Sequence, residues 1–109
     1  MSSSTESTVQ QVVAAVPALD PVLSEHLDDM DGELLPHVFF GDVTRWAEDA
    51  ARGRPADAQR LLDVLEEAYV TGDDAVRELI TVSFLENLTT DSPLVRNLGP
   101  RLADVLAGL

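Results

Sequence analysis

The chain of 109 residues has no cysteine. Disulfides, iron–sulfur clusters, thiolate zinc sites and cysteine nucleophiles are therefore excluded. It has no lysine, and all seven arginines lie from Arg45 onward, so Met1 to Thr44 carries no base. The missing basic footprint argues against direct binding to DNA, RNA or an anionic membrane. The opening Met1-Ser2-Ser3-Ser4-Thr5-Glu6 lacks the basic region of a secretory signal, and no apolar run is long enough to span a bilayer. Cytoplasm is the expected compartment. Glycine is sparse and scattered, with no phosphate-cradling loop, and the aromatics are three Phe, one Trp and one Tyr.

What the chain does have is acid. Its formal net charge is −13. Residues 1–44 hold eight acids and no base, whereas residues 45–109 hold twelve acids and seven arginines. Within the base-free part, Glu25-His26-Leu27-Asp28-Asp29-Met30-Asp31-Gly32-Glu33 runs directly into Leu34-Leu35-Pro36-His37-Val38-Phe39-Phe40. Negative charge beside a large apolar segment suits a protein that captures a basic partner, because complementary fields speed encounter. Solubility alone is the plainer explanation of the same charge.

With 45% hydrophobic residues the chain suits one small globular domain. Helical spacing dominates it. Val9, Val12, Val13 and Val16 form a stripe that ends at Pro17, and residues 1–8 before it read as a flexible tail, leaving 9–109 as the helical domain. Asp20-Pro21 opens a second helix through about Asp29, and Asp31-Gly32 is a turn. Leu34 to Phe40 is ambiguous between helix and loop, with Pro36 able to open a helix and Gly41-Asp42 able to start or kink the next, through Trp46 to about Ala51. Arg52-Gly53-Arg54-Pro55 is a break.

From Pro55, Ala58, Leu61, Leu62, Leu65, Ala68 and Tyr69 share one helical face, with Asp63, Glu66 and Glu67 opposite. Gly72-Asp73-Asp74 stops that helix and caps the next, expected over about Asp74 to Leu88. Its apolar residues spread around most of the circumference, which predicts the central, most buried helix. Leu94 to Leu109 stays in helical phase across Gly99-Pro100, a kinked or broken last helix. The architecture expected is all-α, a five- to six-helix orthogonal bundle with a HEAT-like hairpin in the second half.

Candidate chemistry is thin. Asp29-Met30-Asp31-Gly32 resembles part of a calcium loop, but Leu27 and Val38 stand where oxygen ligands are needed. His26 and His37 lack the spacing that puts two metal ligands on one helix face, and His37 reads as a partly buried, hydrogen-bonded residue. A metal or hydrolytic site would need the fold to join both histidines with acids. Ser83, Glu86 and Asn87 form a polar strip that suits helix pairing, since no base or oxyanion hole is evident for a catalytic serine. No enzyme, cofactor or metal is expected. Phe39 and Phe40 read as core, one facing inward and one sideways. Trp46, four residues after Asp42, is the aromatic anchor expected at the edge of the acidic surface.

Glu33-Leu34-Leu35-Pro36-His37-Val38-Phe39-Phe40-Gly41-Asp42-Val43-Thr44 and Leu79-Ile80-Thr81-Val82-Ser83-Phe84-Leu85-Glu86-Asn87-Leu88, with the Leu61-to-Glu67 helix and Leu98-Gly99-Pro100, resemble a bacterial family of small acidic helical proteins of unknown function. The resemblance covers about Val9 to Leu106. It implies an all-helical cytoplasmic domain and an immunity role in polymorphic toxin systems. The expected function is neutralisation of a cognate, basic toxin domain by direct protein–protein binding. Asp28, Asp29, Asp31, Glu33, Asp42 and Trp46 are the expected partner-binding residues. The alternative is a helical scaffold module or homo-oligomer using the apolar residues of the last two helices.

Overall fold

The computed structural model describes residues 4–89 and 91–109. Six α-helices form among them: α1 Ser4–Ala15, α2 Asp20–Asp29, α3 Pro36–Gly53, α4 Pro55–Thr71, α5 Asp74–Ser83 and α6 Pro100–Ala107. Short 3-10 turns lie at Pro17–Leu19, Leu85–Asn87 and Val95–Asn97, and no strand occurs among the described residues. The chain is an all-α bundle.

Most boundaries follow the punctuation of the sequence. Proline stands at the first or second position of α2, α3, α4 and α6, where its missing N–H costs nothing. Five of the residues expected in a flexible tail, 4–8, are helical. Helix α1 begins at Ser4, and Thr8 is buried, its hydroxyl donating to the Ser4 carbonyl at 3.0 Å. Met1 to Ser3 lie outside the described residues. Pro36 opens one unbroken helix that runs through Gly41, which settles the ambiguous segment.

Helices α3 and α4 carry the core. Phe39, Phe40, Val43, Thr44, Ala47 and Ala50 of α3 are buried, as are Ala58, Leu61, Leu62, Leu65 and Ala68 of α4. Phe39 and Phe40 both bury fully, ring centroids 6.2 Å apart, because α3 packs against α2, α4 and α5 around its axis. Neither ring lies sideways at the surface. The stripe on α1 docks as expected, with Val9, Val12 and Val16 fully buried.

Helix α5 corrects the expectation of a central helix reaching Leu88. It ends at Ser83, and Val82 is 45% exposed. In a continued helix the Ser83 carbonyl would accept from the Asn87 N–H. Instead it accepts from Thr44 Oγ1 of α3 at 3.1 Å and from the Asn87 side-chain amide at 2.8 Å. The Asn87 N–H turns to the Phe84 carbonyl at 3.2 Å, tightening the chain into a 3-10 turn. Phe84, Leu85 and Leu88 therefore belong to a different element, which is why the apolar positions seemed to encircle one helix.

The last helix breaks at Gly99-Pro100, as its sequence predicts, but it is capped from elsewhere. Glu66 of α4, expected on the solvent face, accepts from the N–H groups of Arg101 and Leu102 at 3.0 Å each. Pro100 has no N–H and Ala103 donates to the Gly99 carbonyl, so the first turn of α6 is fully satisfied. Asp73 caps α5, accepting from Val76 N–H at 3.0 Å and from the Ser4 hydroxyl at 3.1 Å. Those bonds, Val76 first, hold its carboxyl below the usual 3.8. Gly72 precedes it because a side chain there would meet the Ala68 carbonyl and Val76.

Two outcomes follow from these caps. Glu66→Ala should lower unfolding free energy by roughly 1–2 kcal/mol, with Glu66→Gln recovering part of it, read by urea denaturation. The folded pKa of Asp73 lies below its unfolded value, so its contribution is present above about pH 4 and lost as pH falls further. Asp73→Asn keeps a capping oxygen without titrating, so its melting temperature should converge on that of the parent between about pH 5 and pH 3.

Candidate functional site

Seven of the eight acids in the first half of the chain lie on α2, in the turn after it or near the start of α3. Helix α2 ends in Asp28-Asp29, and its C-terminus closes as a Schellman turn in which the Gly32 N–H donates to the Leu27 carbonyl at 2.7 Å. Asp31 takes the left-handed position there with φ +54°, and Gly32 follows at φ +85°. The turn predicted at Asp31-Gly32 is present. Asp28, Asp29, Asp31 and Glu33 are all exposed along it.

That placement runs against local electrostatics. A helix C-terminus carries partial negative charge and favours cations. Glu6, Asp20, Asp57 and Asp74 obey the rule, each in the first turn of its helix. Asp28 and Asp29 sit in the last turn of α2, whose one basic residue is His26. Asp31 adds a non-glycine residue in the left-handed region, a conformation that costs most side chains free energy.

Between α2 and α3 lies a cleft of about 300 Å³, lined by Val22, Glu25 and Asp29 from α2 and by Asp42 and Arg45 from α3. Arg45 pairs with Asp42 one turn earlier on the same helix. The fold thus brings Asp29 and Asp42 together with Glu25, which sequence reading did not single out. Asp28, Asp31, Glu33 and Trp46 do not line the cleft. Trp46 is half-buried against the core, and the Arg54 guanidinium lies 5.5 Å from its ring centroid. The anchor expected at the edge of the acidic surface therefore has an arginine of its own chain over it.

A second polar centre joins α3 to α5. Thr44 is buried and donates to Phe40 O at 2.8 Å and to Ser83 O at 3.1 Å. Ser83 Oγ and His37 Nδ1 share a hydrogen bond of 2.6 Å. Ser83 does link α5 to α3, whereas Asn87 bonds within its own segment, to the Ser83 carbonyl, and Glu86 is exposed. A base does stand beside Ser83, which sequence spacing could not reveal across 46 positions. Ser83 is itself buried, and none of the clefts described here reaches it.

His37 makes the hydrogen bond expected of it but is more exposed than expected, and the buried histidine is His26. His37 is exposed and His26 is 2% exposed, with its ring 5.7 Å from Phe39. His26 Nε2 accepts the Leu35 N–H at 3.0 Å, and its Nδ1 is buried without a hydrogen-bond partner. The two rings serve different contacts, and no group of three or more His, Asp or Glu able to hold a metal occurs among the described residues. No helix among them is long and apolar enough to cross a membrane.

A family model for a domain of unknown function, DUF7674, matches residues 9–107. The chain belongs to that family. No match is found among curated proteins or solved structures. Membership agrees with the resemblance to a family of unknown function over nearly the whole chain, and the family's description assigns no activity and says nothing of immunity or toxins.

Thr44→Val keeps shape but removes both hydroxyl bonds. It should cost roughly 0.5–1.5 kcal/mol of stability by chemical denaturation, since the Ser83 carbonyl keeps the Asn87 amide and the Phe40 carbonyl keeps its helical N–H.

Proposed function

We propose that this chain is a cytoplasmic, non-enzymatic binding protein of immunity type, whose acidic α2–α3 face docks a basic toxin domain. The observation that supports this reading is the cleft in which Glu25, Asp29 and Asp42 converge. Exposed Asp28, Asp31 and Glu33 extend the same negative field along the end of α2. A guanidinium or ammonium group entering the cleft would replace Arg45 on Asp42 and gain the two α2 carboxylates. Val22 offers apolar wall to its stem. The unfavourable placement of acids at the C-terminus of α2 supports binding over mere solubility, because surface charge for solubility could sit at no such cost.

The scaffold reading has one observation of its own. Leu88, Thr89, Val95 and Leu106 line a mostly apolar cleft of about 290 Å³ at the other end of the chain. Substitutions there would then weaken binding, and substitutions on α2 would not.

The test begins with a basic protein encoded beside this gene. Co-expression should protect cells from it, and the purified pair should co-elute at low salt. The double reversal Asp29→Arg with Asp42→Arg should weaken binding by at least about tenfold and abolish protection. No protection by the parent chain would sink the proposal. Asp31→Gly makes a sharper discrimination. It should raise folding stability by about 0.5–1 kcal/mol, since glycine accepts the left-handed position freely, while weakening partner affinity. A purely structural Asp31 would show the first effect without the second.

A further inference from the structure

We propose that His26 is a proton-operated latch on the loop from Met30 to Leu35. The imidazole is buried between α2 and α3, and its Nε2 accepts the Leu35 N–H. That acceptor role requires a bare Nε2, so the ring is neutral with its proton on Nδ1. Leu35 is the residue at which α3 starts, and its carbonyl receives Phe39 N–H at 2.9 Å. Pro36 has no N–H to offer. The bond to His26 therefore anchors the last donor of the loop before the helix takes over.

Protonation removes that anchor. A proton on Nε2 turns the acceptor into a donor that faces another donor. It also leaves a cation whose Nδ1–H has no acceptor in its buried place. The charged ring has somewhere better to go. On its own helix Glu25 is adjacent and Asp28 and Asp29 lie two and three residues on. The loop carries Asp31 and Glu33, and α3 carries His37, Asp42 and Arg45. The 3-10 turn Pro17–Leu19 contributes no titratable group, and Asp20 follows it at the far end of α2. Glu25 and Asp29 line the α2–α3 cleft, and Asp29 stands at i+3 from His26, so an imidazolium that swings outward meets a carboxylate within one helical turn.

The two states are thus a buried neutral ring that holds Leu35 and an outward charged ring that releases it. The loop so freed carries Asp31 and Glu33. The latch stands whatever the acidic face binds. Its further effect, weaker capture of a basic partner when the imidazolium occupies Glu25 and Asp29, rests on the docking reading above.

The test uses the full chain without any partner, so it stands or falls apart from the docking proposal. Ring resonances of His26 and His37 and amide exchange at Asp31 to Leu35, corrected for intrinsic exchange, are followed by NMR between about pH 7.5 and pH 5. One proton coupled to one opening should cost Leu35 up to about tenfold in protection per pH unit as pH falls towards the His26 midpoint, where half the molecules are released, with Phe39 unaffected. His37→Gln should retain this response and His26→Gln should lose it. Flat Leu35 protection while the His26 ring titrates would overturn the latch. So would a response that persists in His26→Gln, or a His26 ring that stays neutral until the whole chain unfolds. Should His26→Gln fail to fold, agreement or disagreement between the His26 ring and Leu35 midpoints in the parent and in His37→Gln decides the matter.

Discussion

The buried surround of α3 is the constraint on which the other elements depend. Helices α2, α4 and α5 all pack on it, and its buried residues are apolar apart from Thr44. A buried hydroxyl must find partners, and Thr44 finds one on its own helix and one on α5. The second bond takes the carbonyl that α5 would need to continue. Thr44 and the Asn87 side-chain amide together occupy that carbonyl at the point where α5 stops and the 3-10 turn begins.

The charged groups divide into two populations by what they do for the fold. Glu66 and Asp73 satisfy helix N-termini, and Arg77 donates through Nε to the Tyr69 carbonyl at 3.0 Å while lying 5.6 Å from that ring. These are placed where helix dipoles reward them. The acids at the end of α2 satisfy no described helix terminus and stand where the dipole opposes them. A face that costs the fold something is the natural place to look for binding.

Much of the architecture was legible because helix ends in this chain are written in proline, glycine and aspartate. Pro36, Pro55, Gly72-Asp73 and Gly99-Pro100 all mark boundaries that the structure keeps. What was not legible rests on partners distant along the chain. Nothing near Ser83 announces that Thr44 of α3 will bond its carbonyl, and Glu66 looks like any solvent-facing glutamate until α6 arrives 34 residues later. The candidate site was half legible for the same reason. Asp29 and Asp42 were visible as acids, but only packing brings them together with Glu25 and puts Arg54 over Trp46. His26 carried no readable signal, since its partner is a backbone N–H.

The cap on α6 has a consequence for the order in which the molecule is put together. Eight residues are too few for a helix to persist alone in water. The carboxylate that completes its first turn belongs to α4 and is in place only once α4 has docked. Helix α6 is therefore a late arrival, assembled on a scaffold already formed. By the same logic the first turn of α6 has no partner of its own once α4 is displaced, so the end of the chain is held by a residue of the middle.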